Sequence, residues 1–528
     1  MRVLIVEDEQ EWSDKLARMV GDLLLGHQQA DTVTVTNKGD ALDHISRETF
    51  SLIFVDLKIP PHAGGAYKEA HGMELLREIR DDASAHRRCA CIVLTGAGKK
   101  ADVREALKDL GVDDFVEKLQ PKDVGALPEI TRQALFKAAM REAEARNSSR
   151  QELTFILTNT HFVFAQLSGL TRYRGAILDE PKKFAATELS ERVNNLDQLI
   201  SSEATRDIDR FWRIAARDIG GKLFEVLSGI KEFDDLLTAR NGPEPLRIGF
   251  LGTRVSPEVP FELLADKEDY LALRHPMFRQ IISDGSTSYN VDAFNVALTK
   301  LEARREVLRV LLLASNTGRD TPSVDAEVDD IQSLLARRFA ESGIRGEVTA
   351  VPSTEATYER VEELLLRQRW HIIHYAGHGR WDGHVPEQSA LVFRTGADRD
   401  GGEYRPMPTS VLHSLLRESS NESPLLFFVN ACLGGRTVAR KGKGDFHGLL
   451  DGLGQAGIPA VIAHRWSISD GAARDLAIGF YDALFTHWSI EDALFSARHA
   501  VIRQSPLRRD DPGWASPVLV VQRAHRRV

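Results

Sequence analysis

Cysteine is scarce in this chain, with three residues among 528, at positions 89, 91 and 432. An odd and sparse count cannot make a disulfide framework, so the fold must be held by its apolar cores. Cys89 and Cys91 alternate along the strand-like run CACIVLTG with no second cysteine pair to complete a metal site, and they read as core thiols. Long apolar runs are missing too. No stretch approaches the roughly 18 residues that span a bilayer, and the start, MRVLIVEDEQ, is too short in apolar residues and too acidic for a signal peptide. These absences lead us to expect a cytoplasmic chain with no membrane contact. An excess of basic residues is also absent: 68 Lys and Arg stand against 77 Asp and Glu, for a net charge of -9. Nucleic acid is therefore not an expected partner. No repeat of 20 to 50 residues appears, which excludes a solenoid.

What is present is the composition of folded protein, 42% hydrophobic and 27% charged, over a length that calls for two or three cores. Residues 1–122 alternate short apolar runs (RVLIVED, TVTVT, SLIFVD, CIVLTG, DDFVEK) with amphipathic stretches, the rhythm of a parallel sheet with crossover helices. Residues 123–150 read as a charged helical linker ending in Asn-Ser-Ser. Residues 151–244 are mixed and mainly helical. From 245 to 528 strand signals return (LRIGFLG, VLRVLLLA, WHIIHYAGHG, PLLFFVNAC, GIPAVIAHRW, SPVLVV), several of them continuously apolar, as strands covered on both faces must be.

In such sheets ligands sit at the carboxyl ends of the strands. In the first region those ends carry Glu7 and Asp8, Asp56, Thr95, and Lys118 three residues after Phe115. Three carboxylates on adjacent strand ends make an oxygen-rich site for magnesium, and a hydroxyl and an ammonium opposite them suit a phosphoryl group. Residues 1–122 thus resemble the receiver domain of response regulators, a flavodoxin-like doubly wound parallel sheet. The resemblance implies Asp56 as phosphoacceptor, Glu7, Asp8, Asp56 and the Lys58 carbonyl as Mg2+ ligands, Thr95 and Lys118 as phosphate contacts, Phe115 as the coupled aromatic, and a sensor histidine kinase as phosphodonor. Two features depart from that pattern: the segment PPHAGGAYKEAHGM after Asp56 is long, and Pro121 stands two residues beyond the place directly after Lys118 where the family carries a proline.

In the last region, RWHIIHYAGHGR runs an apolar strand into a turn at Gly377, His378 and Gly379, and PLLFFVNACLGG runs another into Cys432. A cysteine peptidase needs a thiolate, an imidazole and backbone amides for the oxyanion. Asn430-Ala431-Cys432-Leu433-Gly434 fits the caspase frame with one conservative change, and His378 lies 54 residues upstream, close to the roughly 50 of that frame. Residues from about 150 to 525 resemble the CHAT family of caspase-like peptidases, relatives of separase, through VPFELL, YLALR, VLRVLLLASN, HYAGHG, NACLGG, AHRWSISDGAA and DDPGWASPVLV in family order. The resemblance implies a caspase-like α/β sandwich, Cys432 as nucleophile, His378 as general acid and base, oxyanion donors at the Gly379 and Cys432 amides, and no cofactor for the peptidase. It also turns Asn430 toward a specificity pocket and places Asp470 at the floor of that pocket, where a carboxylate would select arginine. Asp470 has a competing reading: Ser469 or Asp470 also suits the N-cap of a following helix. His371 and His374 read as packing residues rather than zinc ligands.

The expectation is an α/β chain that is a phosphorylation-regulated cysteine endopeptidase of a protein substrate. The alternative is a catalytically silent binding scaffold with the same fold. A transcription factor would need a basic recognition helix after residue 122, and KAAMREAEAR is charge-mixed.

Overall fold

The computed structural model describes residues 1–23, 31–96, 110–148, 150–158, 161–168, 174–177, 192–193, 195–196, 208–228, 237, 245–252, 259–283, 293–316, 323–380, 388–395, 404–419, 423–432, 450, 453, 458–466 and 468–524. It divides into two units, residues 1–145 with 336–345, and residues 146–335 with 346–528. Among the described residues no helix is long and apolar enough to cross a membrane.

The first unit holds strands β1 (Arg2–Val6), β2 (Asp31–Val35), β3 (Leu52–Asp56), β4 (Ala90–Thr95) and β5 (Asp114–Glu117), with helices α1 (Gln10–Leu23), α2 (Lys38–Arg47), α3 (Glu69–Arg80) and α4 (Pro121–Ser148). The strands are all parallel in the order β2-β1-β3-β4-β5, the flavodoxin-like arrangement. Strand alternation sorts the apolar runs onto two faces. Val3, Ile5, Leu52, Phe54, Ile92 and Leu94 pack with Leu16 and Val20 of α1, whereas Leu4, Val6, Ile53, Val55 and Val93 pack with Leu75, Leu76 and Ile79 of α3. Cys91 belongs to the second face, and burial pushes its thiol well up, with Cys89 up to about 11, so both are inert core groups as expected.

The charged stretch expected to be a linker is α4, and it is not loose. Leu127, Ala134, Leu135 and Ala138 lie in the same cluster as β1, β3 and β4. Its charges mask an apolar stripe that closes one face of the sheet. Pro121 opens this helix, a position where its missing N–H costs nothing, and no peptide among the described residues is cis. The long segment after Asp56 is tied down by the amides of Lys38 and Gly39, which donate to the Pro60 and Pro61 carbonyls, and by Ile59 pairing with Lys68.

The second unit adds β6 (Glu152–Thr158), β7 (His161–Ser168), β8 (Arg174–Ile177), β9 (Arg247–Gly252), β10 (Met277–Ser283), β11 (Leu308–Ala314), β12 (Gly346–Val351), β13 (Ile372–Arg380), β14 (Ala390–Arg394), β15 (Tyr404–Pro408), β16 (Leu426–Cys432), β17 (Ala460–His464) and β18 (Pro517–Ala524). Its helices are α5 (Ile208–Leu227), α6 (Ala293–Ala303), α7 (Val324–Ser342, whose last turns belong to the first unit), α8 (Tyr358–Arg367), α9 (Thr409–Ser419), α10 (Asp470–His487) and α11 (Ile490–Gln504). The sheet runs β12-β11-β13-β16-β17-β18-β10-β9-β6-β7-β8, with β14 and β15 as a flap beside β13. β12, β11, β13, β16 and β17 are parallel, and β18 turns antiparallel to β17. The mixed region read from 151 to 244 therefore shares this sheet: β6 pairs with β9, Glu152 opposite Arg247.

The two faces of the central strands differ. Leu311, Ile373, Tyr375, Phe427, Val429, Val461 and Ala463 form a hydrocarbon layer with α8 and α9. The alternate positions carry His374, Phe428, Asn430 and His464, all buried. His371 and His374 are packing residues here, as read from the sequence: His371 Nδ1 accepts the Arg309 amide at 2.9 Å, and His374 Nε2 meets Glu327 Oε1 at 2.9 Å.

Two outcomes are expected. Gly72 of α3 leaves room for the strand exit, because a Cβ there would sit 2.5 Å from the Leu57 backbone, while a Cβ on Gly125 of α4 meets nothing. In urea unfolding, Gly72→Ala should cost about 1–3 kcal/mol, and Gly125→Ala should gain up to about 1 kcal/mol. Burial pushes His371 down to about 4 and His464 down to about 3. Unfolded, both titrate near 6.5. The unfolded chain therefore binds protons that the fold refuses between those values, so stability of the second unit is lost as pH falls below about 6.5. The slope is up to about 1.4 kcal/mol per pH unit for each imidazole. Melting temperatures from pH 8 to 5 check this, and a flat profile contradicts it.

Candidate functional site

The first unit gathers its charged residues at the carboxyl ends of the parallel strands. Ligand oxygens of Glu7, Asp8 and Asp56 all lie within 4.8 Å of one another, the one such metal-capable group among the described residues. Lys118 Nζ donates to Glu7 Oε1 at 2.8 Å, to Asp56 Oδ2 at 2.9 Å and to Glu9 Oε1 at 3.2 Å. Thr95 closes β4 and is buried, and its carbonyl accepts the Lys118 amide at 2.9 Å. The Lys58 amide donates to Asp56 Oδ1 at 3.1 Å, holding the turn after β3, and Phe115 is half-buried against the α3 face. Of the seven residues named from sequence, Glu7, Asp8, Asp56 and Lys118 thus meet through their side chains, Lys58 and Thr95 join them through the main chain, and Phe115 packs with the α3 face. Glu9 is the addition that sequence reasoning missed; it sits one residue beyond the matched acidic pair.

The electrostatics are crowded. Burial, together with the nearby Asp56 and against the pull of Lys118, pushes Glu7 up to about 7, and burial and Asp56 also raise Asp8. Burial alone would lower Lys118, but its bonds to Glu7 and Asp56 hold it above its ordinary value. Glu7 Oε2 is buried without a hydrogen-bond partner. An orphaned carboxylate oxygen within a three-acid cluster fits a hard divalent cation, whose charge would relieve both the crowding and the missing bond.

In the second unit, the β13–β16 ladder runs Ile372↔Leu426, His374↔Phe428, Ala376↔Asn430, and ends His378↔Cys432. The two residues singled out from sequence are therefore direct register partners on adjacent parallel strands, which lie about 4.8 Å apart. His378 is half-buried, and Gly379 pairs with Leu391 of β14. The Cys432 side chain and Gly434 lie outside the described residues.

Asn430, expected to face a specificity pocket, does not. Its Nδ2 donates to Glu327 Oε1 at 2.6 Å and to the Ala473 carbonyl at 3.0 Å, and its Oδ1 faces His464 Nε2 at 2.6 Å. With both acceptors fixing the amide, Oδ1 must accept, so neutral His464 carries its proton on Nε2. The side chain is 4% exposed, roofed by α7 and α10, because an uncharged amide with every bond satisfied is stable inside while a pocket would leave some of them to solvent. Glu327 and His464 are the partners that sequence reasoning missed. Glu327 lies 103 residues from Asn430, and neither carries a local motif.

At the start of α10 the N-cap is Ser469, whose side chain accepts the Ala472 amide at 3.2 Å. Asp470 is the first helical residue, half-buried, where a carboxylate complements the helix dipole. Of the two capping candidates, the serine does the work.

Comparison with known proteins agrees with both units. A response regulator receiver domain model matches residues 3–127, and a CHAT domain model matches residues 220–522. The response regulator protein PilR of Pseudomonas aeruginosa is 28% identical over 147 residues, covering 28% of this chain and 28% of that protein. Among solved structures, the receiver domain of a sensor histidine kinase from Pseudomonas aeruginosa PAO1, with a magnesium ion coordinated in its active site cleft, is 23% identical at TM-score 0.20. It covers 25% of this chain and 96% of that one. The receiver domain of a signal transduction histidine kinase from Syntrophus aciditrophicus is 26% identical at TM-score 0.20, covering 25% of this chain and 89% of that one. Receiver domains bind Mg2+ at an acidic site and imply a phosphodonor such as a histidine kinase, and CHAT domains are associated with caspase-like cysteine peptidases. With the second model matching more than half of its length, the chain belongs to the CHAT domain family, joined to a receiver domain at its N-terminus.

Proposed function

We propose that this chain is a phosphorylation-regulated cysteine endopeptidase of a two-component system, acting in the cytoplasm on a protein substrate with arginine favoured before the scissile bond. The observation that carries the reading is the register of β13 and β16, which sets His378 beside Cys432 at the open ends of two parallel strands.

A free thiol with pKa about 8.5 is only a few per cent ionised at neutral pH. His378 takes the proton as the Cys432 sulfur attacks the peptide carbonyl, and the amides of Gly379 and Cys432 donate to the oxyanion. Collapse breaks the C–N bond, the leaving amine takes the proton from His378, and a thioester remains. Water, deprotonated by His378, then attacks the thioester carbonyl, releasing the acid and restoring the thiol.

The receiver supplies control. Asp56 accepts a phosphoryl group from a histidine kinase, Thr95 and Lys118 bind its oxygens, and Phe115 is the coupled aromatic. Glu7, Asp8, Asp56 and the Lys58 carbonyl are the residues that would hold Mg2+, whose charge offsets that of the incoming phosphoryl group. Phosphorylation then acts by favouring one of two receiver conformations. Substrate choice is assigned to Asp470, whose carboxylate would take an arginine guanidinium in a bidentate contact.

Three outcomes are expected. At pH 7, iodoacetamide should alkylate Cys432 at least about tenfold faster in the wild type than in His378→Ala, read by peptide mass spectrometry, while buried Cys91 stays unmodified and half-buried Cys89, its thiol pushed up to about 11, reacts slowly in both. Equal rates would leave the silent scaffold as the better account. Asp470→Ala should lower kcat/KM for arginine peptides at least about tenfold. Because Ser469 supplies the cap, the same change should cost no more than about 1 kcal/mol of stability, and unchanged selectivity would remove Asp470 from the site. Acetyl phosphate with Mg2+ should phosphorylate the wild type and not Asp56→Asn, as seen by intact mass.

A further inference from the structure

Tyr375 stands three residues before His378 on β13, in a stretch where strand alternation puts it on the opposite face of the sheet. Its ring packs in the hydrocarbon layer, edge-on to Phe393 with centroids 5.3 Å apart, and the side chain is fully buried. Its hydroxyl reaches along the strand to the main chain of the candidate dyad. The oxygen lies 2.7 Å from the His378 carbonyl and 2.8 Å from the Val392 carbonyl, and it receives the Val392 amide at 3.3 Å.

A phenol has one proton to give. The Val392 carbonyl is already served by the Ser315 hydroxyl, which donates to it at 2.6 Å. With the His378 carbonyl the nearer acceptor, at 2.7 Å against 2.8 Å, and Val392 already holding a second donor in Ser315, the geometry points to the His378 carbonyl as the acceptor of the Tyr375 proton. Burial raises the phenol well above its ordinary value, which keeps that proton in place across the pH range in which a thiol and an imidazole react.

The glycine between them has a related use. A Cβ on Gly377 would lie 2.7 Å from the Tyr375 hydroxyl oxygen, 2.8 Å from its ring carbon and 2.7 Å from the Ser315 carbonyl. Real Cβ atoms do not approach backbone oxygen so closely, so only glycine leaves the hydroxyl its path. The GHG segment, expected to be a turn, is extended within β13, and its first glycine is thus required for space and not for a left-handed backbone, which the structure does not give it.

We propose that Tyr375 is a positioning residue that fixes the backbone at His378, and with it the placement of the imidazole against residue 432. The inference rests on the peptidase reading. It gives the tyrosine no contact with substrate. Its action is through the His378 main chain, and Ser315 assists as a second donor on the Val392 carbonyl.

The test uses the full chain as wild type, Tyr375→Phe, Ser315→Ala and His378→Ala, measuring the iodoacetamide rate at Cys432 from pH 5.5 to 9.5 alongside the melting temperature. Tyr375→Phe should slow alkylation at pH 7 about tenfold, less than the roughly 10²-fold that a 1 Å misplacement can cost. It should also move the pH midpoint toward the about 8.5 of a free thiol. Ser315→Ala lets the phenol turn to Val392 and should shift the midpoint the same way by a smaller amount, which keeps the proposal testable if the phenylalanine variant does not fold. A melting change without any midpoint shift in either variant would mark a packing role only and overturn the proposal. A wild type that matches His378→Ala would instead overturn the dyad itself, so the two failures are told apart.

Discussion

The ladder between β13 and β16 is the constraint on which the second unit depends. A parallel pairing fixes every residue of one strand against a partner on the other, and a slip of one position would carry each side chain to the wrong face. Here the buried positions settle the register from below: His374 opposite Phe428 and Ala376 opposite Asn430 leave His378 only Cys432 to meet. The meeting of His378 and Cys432 is therefore set by packing further down the strands. Asn430 makes that packing stringent, since its amide must find Glu327, Ala473 and His464 together. A register that missed any of them would leave polar groups buried and unpaired, at about 1–3 kcal/mol each.

The same logic of strand ends governs the first unit with the opposite chemistry. There the adjacent ends bring like charges together, and Lys118 bonds three acids, Glu7, Glu9 and Asp56. Burial first, and the neighbouring Asp56 after it, push Glu7 up to about 7 against the pull of that one ammonium, and Glu7 Oε2 keeps no hydrogen-bond partner. An additional positive charge among Glu7, Asp8 and Asp56 would relieve that crowding.

Much of this was legible in the sequence because both units put chemistry at the close of apolar runs. VEDE, VDLKIP, LTG and FVEK announce their strand ends, and GHG and NAC announce theirs. What was not legible depends on partners remote in sequence. The α4 stretch reads as charged, yet Leu127, Ala134, Leu135 and Ala138 are spaced to meet a sheet that only the fold supplies. Asn430 looked like a pocket residue because no local pattern reveals Glu327 above it. The split between Ser469 and Asp470 needed backbone angles, since either residue can cap. Tyr375 and Gly377 were in view within HYAGHG, but a hydroxyl returning along its own strand has no sequence signature.

The unequal faces of the central sheet also bear on how such a chain can drift. On the side of α8 and α9 the residues are mostly hydrocarbon, and exchanges that keep volume, Leu for Met or Ile for Leu, are absorbed at little cost. On the other side Glu327, Asn430 and His464 form a seam whose members have meaning only together, so a single replacement of equal size strands the rest. Divergence should accumulate on one side of the sheet while the other changes in concerted steps or not at all.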